Sequence, residues 1–140
     1  MRRILPVGGV RLFGAMPVAD RRHALDVADR LLGAGHDDPD LLGAALLHDA
    51  AKGHRMRLWH RVGGVLLEAF APSVLRRLAS PDPASWRHPF HLYLHHGPMS
   101  AALAREAGCS PRVGTLIRGE AASAADEQLL AALRKADDGA

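Results

Sequence analysis

Four side chains able to hold a cation or move a proton recur along the chain: His23, the adjacent pair His48-Asp49, and Asp137. Imidazole nitrogen and carboxylate oxygen are ligands for divalent ions such as iron and manganese, and carboxylate suits magnesium as well. The pair stands in LLHDAAKG, at the end of a leucine- and alanine-rich run. On a helix, residues four and seven apart share a face, so His48 lies with Leu41 and Ala44, and Asp49 lies with Leu42 and Ala45. Burying a carboxylate is costly unless it neutralises, pairs with a cation or binds metal. Asp137 repeats the anomaly by continuing the stripe of Leu130 and Leu133, whereas Asp138 points elsewhere. His23 sits one turn before Val27 on the inner side of its own helix. A single histidine there is more often a packing or capping residue, but an ordered set from three helices matches the way bundles point ligands inward.

The elements that must position these residues all read as helices, because apolar residues recur at three- and four-residue spacing and no segment alternates as a strand would. The fold class is all-α. A first helix is expected from an Asp20 cap to about Leu32, ended by Gly33 and Gly35. A second starts at Asp38 with Pro39 in the first helical position and runs through LLGAALLHDAAK to Gly53. A third covers roughly 58–79 with a break near Gly63-Gly64 or Pro72, and SPDPASWRHP reads as a loop. Helices are expected at 90–107, interrupted at Gly97-Pro98, and at 110–118 behind Ser110-Pro111. The last runs from a Ser123 cap to about Asp137.

With 140 residues and 48% hydrophobic residues, the chain suits one domain over 20–140 preceded by an arm at 1–19. Cys109 is the single cysteine, which excludes an internal disulfide and a thiolate-rich zinc or iron–sulfur site, and favours a reducing cytoplasm. Pro6, Gly8, Gly9 and Arg11 interrupt the apolar part of MRRILPVGGVRLFGAM and argue against a secretory signal. The run from Val62 to Leu75 carries Glu68 and Pro72 and is too short to span a membrane. Net charge is +3, which suits anionic partners, yet the arginines are spread along the chain, so nucleic-acid binding is unsupported.

In this order and context, His23…His48-Asp49…Asp137 resembles the signature of the HD-domain metal-dependent phosphohydrolases. RRHALDVADRLL is similar to that family's first-ligand helix, LLGAALLHDAAKG to its doublet helix and LLAALRKADD to its closing aspartate helix, so the likeness covers roughly 20–138. It implies an HD-domain helical bundle holding one or two divalent ions, iron, manganese or magnesium, and hydrolysing a nucleotide or a related phosphoester or phosphoanhydride. Small bacterial HD proteins of the diadenosine-tetraphosphate hydrolase type add histidines for a second metal. LHHGPMSAALAREAG resembles the first such segment, with His96 as the ligand and His95 its neighbour. The second segment ends Ile-Arg-x-His in those proteins, and here Ile117-Arg118-Gly119-Glu120 puts Glu120 in the histidine's place. Glutamate can still ligate iron, manganese or magnesium, so a modified two-metal site, a one-metal site and an inactive site are all open. By the resemblance, Asp49 would bridge two ions and serve as the central catalytic ligand.

Lys52, one helical turn after the doublet, suits a substrate phosphate, or equally the helix C-terminal dipole. Arg55, with His54 and Arg57, forms a basic stretch fit to grip phosphate, although an ordinary exposed turn accounts for any one of them. Trp59, Trp86, Phe90 and Tyr93 are read as core anchors, Cys109 as a structural or exposed thiol, and His36, His60, His88 and His91 as surface or capping residues. The rival reading, favoured by Glu120, is a catalytically silent HD module that binds a nucleotide or a protein partner.

Overall fold

A computed structural model describes residues 4–52, 70–79, 81–82 and 88–140. Among these the chain forms seven helices and no strand, so the fold is all-α. They are α1 (Val7–Ala15), α2 (Val18–Gly33), α3 (Pro39–Leu47), α4 (Pro72–Leu78), α5 (His88–Glu106), α6 (Pro111–Ile117) and α7 (Ala124–Asp138). Contacts divide the chain into two compact units, Met1–Ala51 with Gly97–Ala140, and Lys52–His96. No helix among the described residues is long and apolar enough to cross a membrane.

The first unit is organised around α3. Its sequence, PDLLGAALL, is apolar on every side beyond the first turn, and a helix of that kind is stable only when surrounded. All of Leu41 to Leu47 is buried, and α3 packs against α1, α2, α6 and α7. Leu31, Val27, Leu116 and Leu133 from the surrounding helices complete the core with Leu41 and Leu47. The segment 1–19, read as an arm, supplies α1, and Leu5, Phe13 and Met16 are part of that core.

Helix starts follow local chemistry. The Asp38 carboxylate accepts from the backbone N–H of Asp40 and Leu41, each at 3.0 Å, ahead of Pro39. Ser110 and Ser123 cap α6 and α7 in the same way. Three helix stops use glycine in the left-handed region: Gly35 (φ +86°) after α2, Gly108 (φ +84°) after α5 and Gly119 (φ +73°) after α6. In each, the next residue's N–H reaches back, His36 to Leu31 O, Cys109 to Ala104 O and Glu120 to Thr115 O, closing the helix end.

Three expectations change. Asp20 is not a cap: α2 begins at Val18 behind Pro17, whose fixed φ of −52° suits a helix entry, and Asp20 is buried in the first turn. The doublet helix stops at Leu47, and His48 to Lys52 form turns instead of continuing to Gly53. Helix α5 begins at His88 and runs through Pro98, so the expected interruption at Gly97-Pro98 is not a break. Of the third expected helix, only α4 falls within the described residues.

One arginine ties three helix starts together. Arg112 donates to Asp38 Oδ2 at 2.8 Å and, through Nε and Nη2, to Asp126 Oδ1 at 3.1 and 2.8 Å. Its guanidinium holds the Asp126 carboxyl below the usual carboxylate range, against the opposing effect of burial. Burial pushes Asp38 upward but is outweighed by the Leu41 N–H, Arg112 and the Asp40 N–H, so its carboxyl also lies low. Carboxylates lowered in the folded state stabilise it above their ordinary pKa of about 3.9, and that contribution is lost as pH falls through the folded values. Arg112→Ala is therefore expected to lower the melting temperature at neutral pH, with the deficit shrinking as pH drops below the ordinary carboxylate range. Melting curves of both proteins across pH check this. A Cβ on Gly8 would collide with the carbonyl oxygen of Ala107. Gly8→Ala should cost about 1–3 kcal/mol in denaturant unfolding, as overpacking does.

Candidate metal centre

Three of the sequence-predicted ligands meet at one point. A ligand atom from each of His23, His48 and Asp49 lies within 4.8 Å of the others. Helix α2 brings His23, the turn after α3 brings the doublet, and the last turn of α7 brings Asp137 beside them. His23 Nε2 is 2.8 Å from Asp137 Oδ1, and His48 Nε2 is 3.3 Å from the same oxygen and 3.6 Å from Asp49 Oδ1. The two imidazole rings meet edge to face with centroids 5.5 Å apart. Burial is graded: the Asp49 side chain is 2% exposed, His48 13%, His23 31% and Asp137 43%. The cluster therefore has a closed floor and an open mouth.

The tautomer of His48 follows from its second nitrogen. Nδ1 is 2.8 Å from Ala45 O, and a carbonyl can only accept, so Nδ1 carries a hydrogen. Neutral His48 then has its lone pair on Nε2, the atom that faces Asp49 and Asp137. A backbone carbonyl holding the distal N–H is the usual support of a metal-bound imidazole. A hydroxyl holds the turn itself: the buried Ser100 Oγ, from α5, accepts the Ala51 N–H at 3.0 Å.

The electrostatics favour a cation. Burial disfavours the charged form of His48, but Asp137, Asp49 and the Ala45 carbonyl outweigh it and raise its pKa. Asp137 lies far below the usual carboxylate range because of His48, with burial opposing and His23 adding to the effect. The facing carboxylates thus favour positive charge at His48, the kind of charge that a bound metal ion would supply at the same atoms. Two imidazole nitrogens with carboxylate oxygens suit iron, manganese or zinc, so the residues present fit the divalent metal that the sequence implies.

The other predicted site residues divide three ways. Glu120 lies outside the cluster: it follows the Gly119 stop, is exposed, and pairs with Arg118 at 3.0 Å, which together with its backbone closure turns it to that partner. Lys52 and His96 belong to the second unit, and Arg55 lies outside the described residues, as do His54, Arg57, Trp59, His60 and Trp86. Cys109 is a buried free thiol. Sequence reasoning missed Ser100, whose signal was a hydroxyl inside the alanine-rich stretch GPMSAALA.

Manganese added to the metal-free protein should raise its stability by about 2.7 kcal/mol at 100 times the Kd. His48→Ala and Asp49→Asn should each remove that gain, as read by thermal melts with and without the ion. Ser100→Ala leaves the buried Ala51 N–H unsatisfied and should cost about 1–3 kcal/mol of unfolding free energy, while weakening manganese binding through the loosened turn. No protein-family model, curated protein or solved structure matches this chain.

Proposed function

We propose that the chain is a metal-dependent phosphohydrolase of the HD type, acting on a nucleotide or a related phosphoester or phosphoanhydride. The observation that carries this reading is the convergence of His23, His48 and Asp49, with Asp137 bonded to His23 at their open side. A divalent ion bound there supplies an activated water at neutral pH and neutralises charge developing on the phosphoryl group.

The chain's own contribution is to arrange the donors. His48, fixed by Ala45, presents Nε2 without a choice of tautomer. Asp49, almost fully buried, offers carboxylate oxygens where water competes least. His23 and Asp137, more exposed, form the side that faces incoming substrate and solvent. Lys52 and Arg55, close behind the doublet in sequence, are assigned to the substrate phosphate. The free, buried Cys109 accords with a reducing, cytoplasmic setting.

A second reading has its own support. Glu120, in the position where the resemblance calls for a histidine, is engaged by Arg118, which favours a one-metal site or a catalytically silent module that binds nucleotide.

Metal analysis of the purified protein and a hydrolysis screen over nucleotides with manganese, iron or magnesium separate the two. The hydrolase reading expects turnover that a chelator abolishes and that Asp49→Asn reduces by more than about 100-fold, beyond the usual effect of an outer-shell change. Nucleotide that binds without being consumed under any of these ions would replace it with the silent module. In an active enzyme, Glu120→His should raise turnover where a second metal site has been lost; reduced turnover would mark Glu120 as a ligand.

A further inference from the structure

The seam between α2 and α7 carries more than the ligand cluster. Beyond it, the same two helices border a cleft of about 410 Å³. Leu31 and Ala136, both buried, and Ala132, partly buried, contribute apolar surface, while Arg30, His36 and Lys135 supply basic groups. None of the lining residues is acidic, and these three basic side chains make no ion pair among the described residues. Arg30 reaches across the seam, with Nη1 only 2.9 Å from where a Cβ on Gly139 would stand.

Arg30 lies in the last turn of α2 and Lys135 in the last turn of α7, where each complements a helix dipole. That role uses only part of their charge. Each helix C-terminus carries about half a negative charge, so two full cations leave the cleft net positive. The smaller cleft between α5 and α6 also has two arginines, Arg105 and Arg118, but Glu120 already engages Arg118.

We infer that the α2–α7 cleft is a second binding site, distinct from the metal cluster, for a phosphate-bearing organic anion of about mononucleotide size. The guanidinium of Arg30 and the ammonium of Lys135 suit phosphate oxygens through charge-assisted hydrogen bonds. Leu31, Ala132 and Ala136 suit the apolar body of such a ligand, and the volume lies in the range of about 300–1,000 Å³ that takes small organic molecules. The site needs no metal and stands whether or not the chain is a hydrolase.

The test is titration of the full chain with adenosine 5′-monophosphate in EDTA, by calorimetry and by amide chemical shifts. Binding should perturb the amides of Ala132 and Ala136. The double variant Arg30→Gln/Lys135→Gln should raise Kd by about tenfold or more, the scale of losing charged hydrogen bonds. Arg134→Gln, an exposed neighbour on α7 that does not line the cleft, should change Kd by less than about twofold. Absence of binding, shifts confined to other helices, or an unchanged Kd in the double variant would overturn the site. Inorganic phosphate binding as tightly as the nucleotide would overturn the ligand class, because the apolar surface would then contribute nothing. If the double variant does not fold, the amide shifts of the unmodified chain still decide the question.

Discussion

The structure turns on how the polar end of a helix buried from Leu41 to Leu47 is satisfied. Helix α3 places its apolar residues against four neighbours and then ends on His48-Asp49, where little water reaches either side chain. Leaving such groups uncompensated would cost several kcal/mol, so the surroundings must supply partners. They do so in part: Ala45 O orients His48, Ser100 Oγ takes the Ala51 N–H, and Asp137 bonds to His23 and lies 3.3 Å from His48 Nε2, a buried atom that makes no hydrogen bond among the described residues. Of the helices that pack around α3, α2 and α7 also bring His23 and Asp137 to its polar end, and α5 adds Ser100. Packing and site chemistry are therefore one constraint in this unit.

Charges elsewhere follow a different pattern. Arg112 joins Asp38 and Asp126 with short, well-directed hydrogen bonds, and each partner lowers or raises the other's pKa in the direction that keeps both charged. That arrangement stabilises helix starts and has no need of a further ion. The His23, His48, Asp49 and Asp137 group has carboxylates gathered around imidazoles, an arrangement that raises the His48 pKa and favours positive charge between them. The contrast between a fixed guanidinium and titratable imidazoles separates a structural ion network from a candidate reactive one.

Much of the helical order was legible along the chain. The Asp38-Pro39 and Ser110-Pro111 starts and the Ser123 start are local hydrogen-bonding events, and they occur where the residues indicate. Asp49 is buried as expected, although from a turn and not from a helical stripe, whereas Asp137, expected to continue the stripe of Leu130 and Leu133, is 43% exposed. Less legible were features that depend on distant partners. Pro98 is accommodated inside α5, α1 is recruited into the core through Phe13, and α2 starts before Asp20.

Residue types and spacing alone determined that the fold is helical, that several helices have strong caps, and that His23, His48, Asp49 and Asp137 are candidate ligands. These follow from local periodicity and short-range hydrogen bonding, which a sequence carries within a few residues. The tertiary structure decided which inward groups meet. It brought residues 114 positions apart to 2.8 Å, ended α3 just before the doublet, and turned Glu120 to Arg118. Such outcomes depend on crossing geometry and on competition among partners for the same buried groups, and no local pattern encodes either.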